Sequence, residues 1–481
     1  MPQFRLFVSL SLVTVVAACA TNPVTGKREF SLMSEAQEIQ LGREMDPQVR
    51  QQMRVYEDAG LQQYVERVGL SLARLSQRPA LPWHFTVVDV AAVNAFALPG
   101  GYIYITRGIL PYLDNEAQLA GVLGHEIGHV TARHAARQYT RATTGELGLA
   151  TLGIFVPAAR RFSQGAETAM GVLFLKYSRE DELQADQLGV DYGSKGGWDP
   201  RGVPEMLTTL GRLDQAATDR NGVPNWLSTH PQPADRVERI QATVSQVTAG
   251  SRQWKVERAA YLQNIEGIIF GEDPRQGLVR GNDFLHPELR FAVTFPQGWD
   301  VSNSPSQVVA KAANTNVFML LQLVQQPPGG SLADIAVTNM SEAGFSQVSG
   351  SPATINGLNA YVGTYQGTVQ GLGETAVLAA HIADNGKVYL VAGLAPVQQY
   401  QQAEPQFVRS IQSFRRLTAT EAAAIKPNRV QMYTARAGDT WESIAERAGN
   451  AVKPPALAIM NDHDPADRPQ PGERLKIVVA G

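Results

Sequence analysis

The sequence predicts an α+β chain of several domains: a mainly helical first half around a small sheet, a β-rich α+β module, and a short βααβ terminus. Three observations predict it. Helical apolar spacing recurs from Ser34 to Leu75 and again on both sides of Gly124-His125-Glu126-Ile127-Gly128-His129. From Asn282 to Leu417 the texture changes to strand-like runs, among them those ending at Val324, Ala383 and Ala395. The last fifty residues alternate strand, turn, two helices and strand. At 481 residues the length suits about three domains. A net charge of −3, a pI near 6.3 and no basic tract exclude nucleic acid as a partner.

In chain order, residues 1–18 carry Arg5 and then an uncharged run from Leu6 to Ala18. That run is shorter than the roughly 20 residues needed to cross a bilayer and reads as a signal-peptide core. Val16-Ala17-Ala18-Cys19 resembles a bacterial lipobox, which implies lipidation of Cys19, the single cysteine. A membrane lipid anchor facing the periplasm follows, and Ala20 in place of Asp implies outer-membrane sorting. Ser34 and Gln37 form an expected capping box for the first helix. The run 84–90 reads as a strand in which His84 is structural. Asn94 opens "NAFALPGG", and Gly101-Tyr102 leads into Tyr102–Thr106, expected to be an edge strand available to an extended peptide.

Asp114 and Asn115 are N-cap candidates for the next predicted helix, with Gln118 three residues after Asn115. There His125 and His129, four apart, face one side and can share a metal ion. Glu126 lies about 100° around the helix, where a general base for water activation belongs. His134, about 140° off the metal face on a continuing helix, is expected to be structural. The apolar stretch Leu147–Ala159 reads as a lid, as a hydrophobic contact with unfolded substrate or lipid, or as a core helix.

Ser178 caps a further predicted helix, in which Glu180, Asp181 and Glu182 compete for the third ligand position. Glu182 is chosen because Asp186, four residues on, shares its face and can orient a ligating histidine. Together "NAFALPGG", "HEIGH" and "SREDELQAD" resemble the gluzincin peptidase family of HtpX and the CAAX prenyl endopeptidase, in its periplasmic lipoprotein branch. The resemblance runs from about Asn22 to Ala242 and includes "STHPQPADRVERI". It implies a zincin-type domain holding one Zn2+ per chain on His125, His129 and Glu182, with Glu126 as base. His230 and Arg236 match the family's His-Pro…Arg motif. One of them would stabilise the oxyanion, or His230 would fill the open zinc position and keep the site latent.

The expected division is 19–250 peptidase domain, 251–280 linker, 281–418 α+β module, 419–429 linker and 430–481 terminal domain. The module is faintly similar to PsbP-like domains, and its His286 and His381 read as structural. Residues 430–481 resemble a LysM domain, with Thr440 and Ser443 starting a helix and Pro471-Gly472 before the closing strand. That implies peptidoglycan as a partner. The family resemblance implies unfolded or misassembled envelope proteins as substrates, in bacterial protein quality control. The rival readings are a chaperone-like or cell-wall scaffold with a largely latent site, and an adaptor whose metal is only structural.

Overall fold

The computed structural model describes residues 19–144, 177–216, 226, 230, 233–304, 306–324, 330–369 and 371–481. The expected leader 1–18 and the insert Leu147–Ala159 lie outside these. Among the described residues no helix is long and apolar enough to cross a membrane.

The chain opens with β1 (Cys19–Thr21) and β2 (Arg28–Phe30), paired antiparallel. Next come α1 (Glu35–Met53) and α2 (Ala59–Ala73), then β3 (His84–Val88), β4 (Ala95–Leu98) and β5 (Tyr102–Thr106). The expected Ser34–Gln37 capping box starts α1. The sheet order is β3-β5-β4, with β3 parallel and β4 antiparallel to β5.

This order corrects one expectation. Gly101 and Tyr102 lead into the central strand, and the edge nearest the metal helix is β4, which follows Asn94. The physical reason is double coverage. Tyr102 and Tyr104 pack on Met45, Val49 and Met53 of α1, while Ile103 and Ile105 join the core of α2. A strand covered on both faces alternates tyrosine and isoleucine yet exposes neither, so alternation alone cannot place it at an edge.

Helices α3 (Glu116–Thr131) and α4 (His134–Thr144) follow, then α5 (Arg179–Gly196), α6 (Gly202–Ala216), α7 (Pro233–Val247), α8 (Arg258–Ile265) and the two-residue β6 (Ile269–Phe270). Asn115 caps α3 by accepting from the Gln118 N–H, and Ser178 with Asp181 forms a capping box on α5. Small residues let α3 and α5 approach. A Cβ added at Gly124 would stand 3.0 Å from the Gly189 Cα, and one at Gly128 would stand 3.1 Å from the Ala185 Cα. Those glycines are what bring the carboxylates of α5 within reach of the histidines of α3.

Residues 272–427 form a separate compact unit. Its strands β7 (Leu278–Arg280), β8 (Asp283–His286) and β9 (Phe291–Thr294) pair in order, with β17 (Arg415–Arg416) on the far side of β9. The larger sheet uses β10 (Trp299–Asn303), β11 (Gln307–Ala312), β12 (Phe318–Val324), β13 (Ser346–Ile355), β14 (Leu358–Val369), β15 (Gly373–Asp384) and β16 (Lys387–Pro396). Its order is β10-β11-β12-β16-β15-β14-β13, antiparallel throughout. Helix α9 (Leu332–Glu342) sets Met340 against one face and α10 (Val397–Ser413) sets Phe407 against the other. A short α11 (Ala419–Ala424) ends the unit.

The terminus is β18 (Asn428–Thr434), α12 (Trp441–Arg447), α13 (Pro454–Met460) and β19 (Arg474–Val479), with Thr440 and Ser443 forming the α12 capping box. It belongs to the same compact unit as residues 1–271, which corrects the expected boundaries. β18 pairs with β6, and Val430 and Ile459 sit in one core with Tyr261, Ile265 and Leu119. Within the expected linker 251–280, Tyr261, Leu262, Ile265, Ile268 and Ile269 are buried in this core, and Arg107 donates to the Ile269 and Gly271 carbonyls. The Lys476 ammonium is fully buried, donates to the Leu113 carbonyl at 2.6 Å and lies 3.4 Å from Asp114, just before the cap of α3.

Candidate metal centre

Helix α3 presents His125 and His129 with their Nε2 atoms 3.0 Å apart. From α5, Glu182 places its oxygens 3.7 Å from His125 Nε2 and 3.5 Å from His129 Nε2. His230 adds Nδ1, 3.3 Å from His125 Nε2 and 3.0 Å from Glu182 Oε1. The four donors are buried and lie within 4.8 Å of one another. Donors at zinc-bonding length around one tetrahedral centre are about 3.3 Å apart, so the cluster has the size of such a site. Imidazole and carboxylate without thiolate also suit zinc.

The expected ligands are therefore brought together, and the fourth donor is the residue for which sequence left two roles open. His230 closes the set. Its ring stacks on Trp226 at 4.0 Å, its backbone N–H donates to the Trp226 carbonyl, and the backbone N–H of Trp226 donates to the Val93 carbonyl beside Asn94.

Arg236 is placed differently from one of its expectations. Its Nε and Nη2 each donate to Asp186 at 2.7 Å, and Nη1 lies 2.7 Å from Glu182 Oε2. A guanidinium committed to two buried carboxylates orients the ligand shell instead of waiting for an oxyanion. Asp186 in turn accepts from His125 Nδ1 at 2.8 Å, as expected of an orienting carboxylate. Burial alone would raise its pKa, but Arg236 and His125 hold it down at about 2. Burial likewise works to raise Glu182, and His230 and Arg236 outweigh it, leaving it below the usual range.

Glu126 is the contrasting carboxylate. Both its oxygens are buried without a hydrogen-bond partner among the described residues, and Oε1 lies 3.7 Å from His230 Nε2. Burial raises its pKa, against the pull of His230 and His125. His230 is raised, because Glu182 and Glu126 together outweigh its burial. One carboxylate kept ionised beside another with raised proton affinity is the separation a ligand and a base require.

Two site residues were read otherwise from sequence. His134 is no bystander: its Nδ1 lies 2.8 Å from His129 Nδ1. The helical angle failed because α3 ends before it, at Arg133 with φ 58°. Tyr177, which drew no attention in the sequence, stacks on His129 at 3.9 Å. Its position immediately before the Ser178 cap was the only signal. Asn94 is buried, with its side-chain oxygen unpartnered among the described residues. Cys19 lies in β1, and nothing in the fold bears on its lipidation.

A His-Glu-His helix face completed by a glutamate from a second, closely packed helix defines the zincin class of metallopeptidase domain. Residues 59–244 match the model of Peptidase family M48. Over 240 residues it is 32% identical to the beta-barrel assembly-enhancing protease of Escherichia coli K12, covering 47% of this chain and 48% of that protein. It is also 32% identical over 193 residues to the mitochondrial metalloendopeptidase OMA1 of Arabidopsis thaliana, covering 40% and 38%. Identity to the metalloprotease YcaL of E. coli is 29% over 168 residues, covering 34% and 63%. The chain thus spans less than two thirds of the length of each. A solved cyanobacterial PsbP from Synechocystis is 15% identical, covering 29% of this chain and 95% of that chain. Its TM-score of 0.24 carries no argument.

Proposed function

We propose that this chain is a zinc-dependent endopeptidase of the bacterial cell envelope, acting on unfolded or misassembled envelope proteins. The observation that carries the reading is the unpartnered Glu126 carboxylate beside the convergent His125, His129 and Glu182. A metal held only for structure has no use for a buried base. The envelope location and substrate class draw on the beta-barrel assembly-enhancing proteases of E. coli and Vibrio cholerae among its relatives.

His125, His129 and Glu182 would hold the zinc, which when bound supplies Lewis acidity to a peptide carbonyl and lowers the pKa of water. Glu126, with its raised proton affinity, takes the proton from the attacking water and returns it to the departing amine. An extended substrate would add along the edge of β4 that pairs with no strand among the described residues, starting at Asn94, where main-chain hydrogen bonds hold it with little side-chain selectivity. His230 serves as the resting latch: as fourth donor it occupies the position water needs, and it must withdraw before turnover. The alternative, a scaffold with a largely latent peptidase, is favoured by that same fourth donor.

Metal content and casein cleavage of the purified protein test the reading. Wild type should carry one zinc and cleave, Glu126→Gln should carry zinc and not cleave, and His230→Ala should cleave faster. Zinc without cleavage in both wild type and His230→Ala would favour the scaffold.

We place the protein on the membrane through lipidated Cys19, and assign the terminal 430–481 to peptidoglycan binding. Supporting the second is the strand-helix-helix-strand order, although Asp462, at the end of α13, lies 3.4 Å from Thr209 of α6. Because this terminus shares the peptidase core, retention on purified sacculi is measured with the full chain; wash-through ends the assignment.

A further inference from the structure

We propose that His134 is a positioning residue for the metal ligand His129, the middle member of a hydrogen-bond relay that fixes which ring nitrogen His129 offers to the metal. The inference rests on the metal-site reading above.

Arg133 breaks the helix in the left-handed region and is held there by Glu38, which accepts from its Nε at 2.5 Å, and by the Met33 carbonyl. That break turns His134, first residue of α4, back toward the end of α3. The His134 ring is fully buried, with Nδ1 2.8 Å from His129 Nδ1 and Nε2 3.0 Å from Gln184 Oε1. Asp181 Oδ1 lies further off, at 3.5 Å, and is itself engaged by Arg137.

Only one proton arrangement satisfies these contacts with His129 as a ligand. His129 Nε2 faces His125 and Glu182, so a ligand lone pair must stand there and the ring proton must sit on Nδ1. Two nitrogens 2.8 Å apart cannot both carry hydrogen, so His134 Nδ1 accepts and its own proton lies on Nε2. That N–H donates to Gln184, which can accept only through its side-chain oxygen. Gln184 therefore sets the tautomer of His134, and His134 sets that of His129.

His125 is oriented by a carboxylate, Asp186, and His129 by a neutral imidazole, while α5 supplies Glu182, Gln184 and Asp186 alike. The histidine pair is thus supported from one helix by two chemically different routes. Tyr177, stacked on the face of the His129 ring at 3.9 Å, leaves that ring little freedom to tilt. Partners of this kind are worth about 10–100-fold in metal affinity.

The test is zinc affinity of the full chain by competition with a chromophoric chelator, beside melting of the metal-free protein. His134→Ala should weaken zinc binding by about 10–100-fold, Gln184→Leu by a smaller factor, and His134→Gln, whose side-chain oxygen can accept from His129, should restore most of it. The metal-free melting temperatures should stay close to wild type. Unchanged affinity in His134→Ala overturns the relay. So does a loss that tracks metal-free melting and is not recovered by His134→Gln. A wild-type chain that binds no zinc defeats the peptidase reading itself, which separates the two failures.

Discussion

The two compact units bury polarity in opposite ways. The unit of residues 1–271 and 428–480 encloses Glu38, Arg78, Arg107, Glu182, Arg236 and Lys476, each at 5% exposure or less. Residues 272–427 rest on ordinary apolar packing, such as Phe291 stacked on Phe414 at 5.2 Å. Their buried histidine, His381, meets Asn339 at 3.0 Å and is pushed down to about 4 by burial, so it stays neutral. Buried charges are costly unless paired, and replacing such pairs with apolar residues is often neutral or stabilising. In the first unit Glu182 and Arg236 stand at one cluster of histidines, whereas the second buries Asp384 against Arg416 with no such cluster among the described residues.

The sharpest way to break that contrast is chemical. Glu126→Gln should lower proteolysis by about 10²–10⁴-fold with zinc retained, read from casein turnover and metal analysis. Substituting in the other unit should do the reverse. Phe407→Ala empties a fully buried site beside Gly393. It should cost about 3–5 kcal/mol of the 272–427 unit's stability in denaturant melts, with casein cleavage unchanged at low temperature. Lost cleavage would deny that the chemistry is confined to one unit.

Smaller effects sharpen the picture at the terminus. Lys476→Met leaves Asp114 paired with Arg258 but orphans the buried Leu113 carbonyl, at about 1–3 kcal/mol. Thermal melting should therefore shift in the unit that holds the metal centre. The smallest expected signal is its pH dependence. Burial lowers the Lys476 pKa to about 8 from 10.5, against the pull of Asp114 and beside Arg258 and Asp462. The folded state then binds fewer protons than the unfolded between those values, so wild-type stability should gain on Lys476→Met as pH rises. The slope is at most about 1.4 kcal/mol per pH unit. Parallel curves would show that Lys476 is not buried in solution.

Much of the site was legible because its signals are local. The caps at Ser34, Asn115 and Ser178 declare themselves within four residues. His125 with His129, and Glu182 with Asp186, are each four apart, so helical geometry alone puts each pair on one face. The 272–427 unit was equally readable as strands, as the runs ending at Val324, Ala383 and Ala395 show in β12, β15 and β16.

What stayed hidden depends on contacts far apart in sequence. Extending the α3 angle to His134 assumed a helix that the left-handed Arg133 ends. Alternation in Tyr102–Thr106 gave a strand but could not say that α1 covers one face and α2 the other, which leaves β4 as the edge. Arg236 stays a candidate for the oxyanion in the sequence because nothing local reveals that Asp186 and Glu182 claim its nitrogens.

The sequence by itself determined the helices that open at Ser34, Asn115 and Ser178 and the pairs His125–His129 and Glu182–Asp186, since each follows from short-range periodicity and hydrogen bonding. Only the tertiary structure decided that His230 closes the donor set, that His134 backs His129, and that the terminal strand-helix-helix-strand segment joins the peptidase core. Those outcomes come from burial, which pairs most polar groups it encloses with whatever the packing brings near and leaves the Glu126 carboxylate without a hydrogen-bond partner among the described residues.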